Sequence, residues 1–280
     1  MEILRMIGSM PVNFTYFGGG VIPFDGNDDT DWRTLPCHAF LTSGGDNGYI
    51  VEYEDEGPYQ VRSGEAVLIR RNRRHRVVTV AGESTSTVWA HFSVGIQAGV
   101  DLFELLEFPA VFPEAESTDI IRLCRELSGI PVDSLSNLLK AKARGFAFAA
   151  ALTAAGRACA DAAERLGQMQ RLAPALELIH RRLSDPPTIS ELARAVGLSE
   201  SHFCSVFREA MQQPPLVYCR RFRLTLAMNR LASSDASVES IAAEFGFYDA
   251  FHFSKLFKRF FKETPATFRR RNAISPPFWN

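Results

Sequence analysis

Ile189-Ser190-Glu191-Leu192-Ala193-Arg194-Ala195-Val196-Gly197-Leu198-Ser199-Glu200-Ser201-His202-Phe203 is echoed about fifty residues later by Val238-Glu239-Ser240-Ile241-Ala242-Ala243-Glu244-Phe245-Gly246-Phe247-Tyr248-Asp249-Ala250-Phe251-His252-Phe253. In each copy a short apolar helix (Ile189, Leu192, Ala193, Val196; Val238, Ile241, Ala242, Phe245) runs into a glycine. A glycine belongs there because a tight turn with positive φ strains any residue that carries a Cβ. A second helix follows each turn, with Phe203, Val206, Phe207 and Ala210 on one face in the first copy. Phe253, Leu256, Phe257 and Phe260 occupy the same face in the second. Helix, glycine turn, helix is the helix-turn-helix arrangement. One such match arises by chance in small helical domains; two, joined by one long helix, are far more specific.

The apolar stripe defines an opposite face on each second helix. Ser201, Ser205 and Arg208 lie about 180° from Phe203, with Cys204 at the edge. Phe251, Lys255 and Lys258 do the same in the second copy, flanked by Ala250 and Ser254. A large exposed aromatic such as Phe251 needs a partner, and a thymine methyl is one. His202 and His252, beside these faces, read as packing residues. The joining helix, from about Leu216 to Ala232, would span roughly 25 Å. That suits two recognition helices in successive major-groove segments ~34 Å apart, reading DNA asymmetrically.

Charge is divided in the sense this reading needs. From Arg171 onward the chain has 16 Lys and Arg against 10 Asp and Glu; before it the numbers are 15 and 22. Only the C-terminal part is drawn to phosphates. The 280 residues suffice for two domains, and 46% hydrophobic with 22% charged residues is the composition of a soluble globular protein. No apolar run reaches the ~20 residues of a membrane span, and Met1 to Met10 lacks a signal-peptide layout. Five scattered cysteines without a Cys-x-x-Cys pair suit a reducing cytoplasm and give no zinc site.

Residues from about 10 to 112 read as β-structure. Tyr49-Ile50-Val51, Ala66-Val67-Leu68-Ile69, Val77-Val78-Thr79-Val80 and Val88 to Val94 are short apolar or β-branched runs separated by turn residues. Many short strands suggest a sandwich or barrel. After Phe112-Pro113 the period becomes helical: Ile120, Leu123, Cys124 and Leu127, then Leu135, Leu138, Leu139, Lys142 and Phe146, followed by an alanine-dense stretch to Ala163. Those helices could pack on their own barrel or on a second subunit. A further helix carries Leu172, Leu176 and Ile179 and stops at Ser184-Asp185-Pro186-Pro187.

The C-terminal region, roughly residues 172 to 271, resembles the AraC/XylS regulators. The resemblance is carried by Ile241-Ala242, Gly246-Phe247, Asp249, Phe253-Ser254-Lys255, Phe257-Lys258, Thr264-Pro265 and Phe268-Arg269, with Tyr218 to Leu224, Ala227 and Leu231 in the joining segment. The family usually has glycine where this chain has Gln212 and Lys262. The resemblance implies an α+β chain: a cupin-like effector-binding barrel (1–112), a helical linker or dimerisation region (113–170) and an all-α DNA-binding domain with two helix-turn-helix units (171–272). It implies a sequence-specific transcription regulator in the cytoplasm, not an enzyme. Its partners would be double-stranded promoter DNA, RNA polymerase, a small-molecule effector and a second copy of the chain. Ser201, Cys204, Ser205, Arg208, Ala250, Phe251, Ser254, Lys255 and Lys258 match positions where the family meets bases or phosphates.

Gly64-x5-Arg70-x-Asn72-x2-His75 has the spacing of a cupin motif, with Arg and Asn where Pro and Gly are usual, and Trp89-x-His91-Phe92 follows. A metal-binding cupin also needs a His-x-His pair and a downstream Glu, which nothing upstream of Gly64 supplies; His38, His75 and His91 would have to converge instead. A barrel holding an organic effector without metal or cofactor is the better reading. Similarity to the arabinose regulator suggests Arg33, His75 and Trp89 as effector residues, with a sugar or sugar acid as effector, while Val77 and Thr87 replace other polar groups of that site. Trp89 is equally readable as plain core. Arg70-Arg71-Asn72-Arg73-Arg74-His75-Arg76 crowds five arginines into one loop, open to an anionic effector, an acidic patch of the other domain, or solvent. The competing reading is a cupin enzyme, an isomerase or dioxygenase, with an accessory helical domain; it leaves the duplicated unit unexplained.

Overall fold

Period-two alternation builds the N-terminal half from two sheets. The computed structural model describes residues 7–8, 10–24, 29–35, 37–44, 48–80, 85–96, 100–131, 133–211, 213–261 and 263–273. The first sheet joins β1 (Asn13–Phe24), β8 (Thr85–Ile96), β3 (His38–Thr42) and β6 (Ala66–Ile69), with β9 (Val100–Asp101) on the end of β8. The second runs β2 (Arg33–Thr34), β7 (Arg74–Thr79), β4 (Tyr49–Tyr53), β5 (Tyr59–Val61). In β7 the residues His75, Val77 and Thr79 are buried while Arg74, Arg76 and Val78 are not, so one face looks inward.

Ala39, Leu41, Val67 and Ile69 of the first sheet meet Tyr49, Val51, Val61 and Val77 of the second in one core, with Trp89 against it. In place of the expected barrel there are two facing sheets, and among the described residues the strands do not close into a ring. The edge strands β2 and β5 are two and three residues long, too short for ladders on both sides; a bridge from Ser43 to Ser63 joins the sheets at one end.

The outer face of the first sheet is covered by helices. Phe14, Phe40, Phe92 and Val94 pack on Ile120, Leu123, Cys124 and Leu127 of α1 (Glu114–Ser128) and on Phe148, Ala149 and Leu152 of α2 (Leu135–Ala154). Gly145 lets α2 approach so closely that an added Cβ would overlap the Phe14 ring. The buried stripe of α2 is thus Gly145, Phe148, Ala149 and Leu152. Leu135, Leu139 and Phe146, on another face, are 73%, 61% and 41% exposed. Strand pair β10 (Leu106–Glu107) and β11 (Arg157–Ala158) ties the end of the sheets to the helices.

The rest is helical: α3 (Ala162–Arg171), α4 (Ala173–Arg181), α5 (Ile189–Ala195), α6 (Glu200–Met211), α7 (Pro215–Ser233), α8 (Val238–Glu244), α9 (Ala250–Phe261) and α10 (Pro265–Ala273). The α+β class follows directly. The two helix-turn-helix units sit differently. The first has its core in common with the sheets: Leu192, Phe203, Phe207 and Tyr218 cluster with Leu166 and Met169 of α3, Leu172 and Leu176, and with Ile96, Val100 and Leu105. The second has a core of its own, Leu224, Ala227, Leu231, Ile241, Phe253, Phe257, Phe261 and Phe268. The connecting helix α7 divides between them, Tyr218 and Cys219 in one core, Leu224 onward in the other.

Both turn glycines take the left-handed conformation, Gly197 at φ 69° and Gly246 at φ 65°. A Cβ on Gly197 would meet open space, whereas one on Gly246 would overlap the Ser184 carbonyl. Gly197→Ala should therefore cost only the left-handed penalty, ~1–2 kcal/mol. Gly246→Ala should cost clearly more, the clash adding to the same penalty. Urea unfolding of the two variants checks this; equal losses would mean that the Ser184 backbone moves aside.

Candidate nucleic-acid interface and interior site

Capping places the two recognition helices. The Ser199 Oγ accepts from the His202 amide at 3.4 Å and the Asp249 Oδ1 from the His252 amide at 2.6 Å, so α6 and α9 both start on a side-chain cap. From there exposure follows one order in both copies. Ser201, Ser205 and Arg208 are exposed, Cys204 is half-buried, and Phe203 and Phe207 are buried. At the equivalent places Phe251, Lys255 and Lys258 are exposed, Ser254 is half-buried, and Phe253 and Phe257 are buried; Ala250, at the helix start, is half-buried. The sequence-derived groove faces are thus the solvent faces. No carboxylate among the described residues pairs with Arg208, Lys255 or Lys258.

His202 and His252 depart from expectation. Both are exposed, His252 with its ring edge-on to Phe247 at 6.5 Å, because the core positions of the first turn are already filled by Phe203 and Phe253. Gln212 and Lys262, where the family has glycine, lie outside the described residues. Sequence reasoning missed Tyr248, which is 91% exposed beside Phe251 at 79%. The signal was in the repeat: Gly246 to Phe253 is one residue longer than Gly197 to Phe203, and Tyr248 stands in the lengthened turn.

A second constellation lies between the sheets. Arg33 and His75 are directly opposed across β2 and β7. Trp89, on β8 of the other sheet, packs against the same interior core. A Cβ on Gly18 would stand 3.7 Å from its indole, so β1 passes close beneath the ring. The three residues expected to bind an effector therefore share one interior. The His75 Nδ1 lies 2.9 Å from the Arg73 carbonyl and so carries the proton, leaving Nε2 as a buried acceptor without a partner among the described residues. Burial, reinforced by the Arg33 charge, pushes the His75 pKa down to about 4, and the ring is neutral.

The buried Tyr49 hydroxyl, the Trp89 Nε1 and the Thr87 hydroxyl also lack partners among the described residues. Such groups are costly to bury unsatisfied and are uncommon in native interiors. Tyr49 was not singled out from sequence, although its alternation with Val51 and Tyr53 on β4 turns it inward. His38 and His91 do not join His75: no cluster of three potential metal ligands forms among the described residues. The His38 Nε2 instead donates to the Asp101 Oδ2 at 2.9 Å.

The arginine-rich loop is neutralised at home. Arg73 pairs with Asp55 and Glu56, Arg74 with Glu54, Arg76 with Glu52 and Asp29, and Arg71 with Asp101 and Glu104. Arg70 donates to the Phe103 carbonyl. These acids, not an acidic patch on the helical half, are the partners.

Comparison with known proteins concentrates on the same helices. Residues 192–271 match the helix-turn-helix domain family. The HTH-type transcriptional regulator AlkR of Acinetobacter baylyi is 33% identical over 101 residues, 36% of this chain and 33% of its own. The regulatory protein SoxS of Salmonella typhimurium is 28% identical over 106 residues, 38% of this chain and 99% of its own. This chain spans about a third of the first curated relatives it matches. Among solved structures, unsaturated fatty acid bound ToxT from Vibrio cholerae is alike in fold, with a TM-score of 0.55 over 91% of this chain and 95% of its own at 12% identity.

Proposed function

We propose that this chain, whose C-terminal third belongs to the AraC type of helix-turn-helix regulators, is a sequence-specific transcription regulator that binds promoter DNA under control of a small molecule held between its sheets. The observation that carries the reading is the repeated order of exposure on α6 and α9: two solvent faces of one design, the second with Lys255 and Lys258 unpaired by carboxylates. DNA would be met by Ser201, Cys204, Ser205 and Arg208 in the first unit, and by Ala250, Phe251, Ser254, Lys255 and Lys258 in the second, with Tyr248 beside them. The connecting helix of 19 residues spans roughly 28 Å, which fits two successive major-groove segments.

The test is binding of the full chain to duplexes selected from a random-sequence library. Log Kd should rise steeply with log salt, with a slope of about +0.9 for each phosphate contact. A chain that selects no duplex, or binds independently of salt, overturns the reading. Residues 171–280 are proposed as the DNA-binding module. Leu166 and Met169 lie in the first unit's core together with Ile96, Val100 and Leu105, so a fragment starting at Ala162 keeps the helical part of that core and exposes the side that meets the sheets.

The effector reading rests on Arg33, His75 and Trp89, joined by Tyr49. A neutral acceptor, an indole N–H, a phenol and a guanidinium suit a hydroxylated ligand, a sugar or sugar acid in a cupin-like interior. The fatty acid bound to ToxT makes a carboxylate with an apolar tail the second reading, favoured by Val51, Val61 and Val77 in the same core. Thermal-shift screening across both classes separates them, with Trp89→Ala and Arg33→Ala as controls.

A cytoplasmic homodimer that engages RNA polymerase completes the proposal. Leu135, Leu139 and Phe146 on the outer face of α2 are the proposed seam between copies, since an exposed apolar stripe of this kind marks an interaction surface. Leu135→Asp with Leu139→Asp should weaken dimerisation ~30-fold or more, on the scale of losing interface anchors. Sedimentation equilibrium reads this; an unchanged mass distribution would place the seam elsewhere.

A further inference from the structure

We infer that the turn Arg70–Arg73 couples the interior site to the connecting helix α7 through Glu104, and that Arg221 carries the coupling on to the second recognition helix. The inference rests on the regulator reading and assigns that site its route of control.

One end of the turn belongs to the interior. The Arg73 carbonyl accepts from the His75 ring at 2.9 Å, and the Asn72 amide donates to the Leu35 carbonyl at 2.6 Å. Asn72 is held at φ 65°, a left-handed conformation that asparagine tolerates better than most residues but that a relaxed loop would seldom choose. Anything that hydrogen-bonds the His75 Nε2 or displaces Arg33 acts on the strand that begins at this turn.

The other end belongs to the junction between the halves. The Arg71 amide donates to the His38 Nδ1 at 3.2 Å, which leaves the proton of that ring on Nε2 for Asp101. The Arg71 guanidinium reaches Asp101 at 3.5 Å and Glu104 at 2.7 Å. Glu104 lies in the 3-10 turn Leu102–Leu105, whose Leu105 is part of the first helix-turn-helix core. Its backbone carbonyl accepts from Arg165 of α3 at 3.1 Å.

From the 3-10 turn the route crosses to α7 through packing: Leu105, next to Glu104, lies in one buried cluster with Tyr218 and Cys219 of α7. The Arg221 guanidinium, on the same helix, lies 5.5 Å above the Phe260 ring of α9, a cation–π contact. The Arg71–Glu104 ion pair, the Leu105–Tyr218 core and the Arg221–Phe260 contact make a path from the arginine-rich turn to the helix that carries Lys255. If the turn relaxes or tightens, Glu104 and its 3-10 turn move with it, and the seating of α7 and α9 changes.

Coupling is reciprocal, so the path can be tested without knowing the effector. Trp32, Trp89 and Trp279 are the three tryptophans; Trp32→Phe with Trp279→Phe leaves Trp89 as sole reporter of the interior. The probe is a duplex selected by the full chain from a random-sequence library. Saturating duplex should shift Trp89 emission and alter its quenching by iodide. Arg71→Ala should abolish the shift while the duplex still binds. Glu104→Gln, of the same shape without the charge, should do likewise and carries the test if Arg71→Ala does not fold by circular dichroism. Duplex bound without any Trp89 response, or a response that survives both substitutions, overturns the inference and leaves the regulator reading standing. A chain that selects no duplex overturns that reading, and the inference with it.

Discussion

Phe257→Ala is expected to melt the second helix-turn-helix unit while the sheets and the first unit stay folded. The Phe257 ring is buried among Phe253, Phe261 and Phe268 at centroid distances of 5.5, 4.5 and 5.7 Å. Truncation to alanine removes most of those contacts and leaves a cavity, at a cost of ~3–5 kcal/mol. That is a large part of the stability of a unit this size. The cluster it belongs to contains no residue of the sheets, so the damage should remain local. Phe207→Ala removes the same chemistry from the first unit, where Phe203 and Tyr218 lie 5.4 and 5.5 Å away. There the core continues into Ile96, Val100 and Leu105, and the loss should spread to the junction. Hydrogen exchange read by mass spectrometry separates the outcomes. Phe257→Ala should raise exchange within residues 224–270, and Phe207→Ala within 162–219 and also 96–105. Matching exchange patterns in the two variants would show that the halves unfold as one unit.

The second large effect is a division of labour on α9. Lys255 stands near the middle of the exposed side, where its ammonium would meet guanine acceptors; Lys258 stands one turn on, where the helix leaves the groove and phosphates come within reach. Lys255→Ala should cost ~1–3 kcal/mol on the selected site and relax the preference at one base pair. Lys258→Ala should weaken every sequence alike and lower the salt slope by about one counterion. Phe251→Ala should behave as the first kind, its penalty shrinking when the contacted thymine is replaced by uracil, which lacks the methyl. Titrations against single-base variants of the selected duplex give all three answers. A uniform loss for Lys255→Ala would make it a phosphate clamp and reverse the assumed orientation of the helix.

The regular features of this chain were legible because they are local. A glycine that must take positive φ announces the turn at Gly197 and Gly246. A Phe at every fourth position announces which side of α6 and α9 is buried, and hence which side is free. The β-runs around Tyr49, Ala66, Val77 and Val88 became strands for a similarly local reason: short apolar, β-branched stretches bounded by turn residues favour extended backbone. The helical stripe on α2 misleads if read as core. Leu135, Leu139 and Phe146 are as apolar as a core face, yet Gly145 and Phe148 take that role, because only the close approach of Phe14 from β1 selects which side of the helix lies against the sheet.

By itself, then, the sequence determined the two helix-turn-helix units, their solvent faces, the α+β succession and the excess of basic side chains after Arg171. Each of these follows from periods of two or 3.6 residues, from backbone sterics, or from counting charge. Only the tertiary structure decided that Arg33, His75, Tyr49 and Trp89 share one interior, that the first unit has a common core with the sheets while the second stands alone, and that Arg71 pairs with Glu104. Those arrangements join side chains many tens of residues apart. Spacing along the chain carries no information about such pairs, because burial and ion pairing depend on which surfaces meet once the chain has closed on itself.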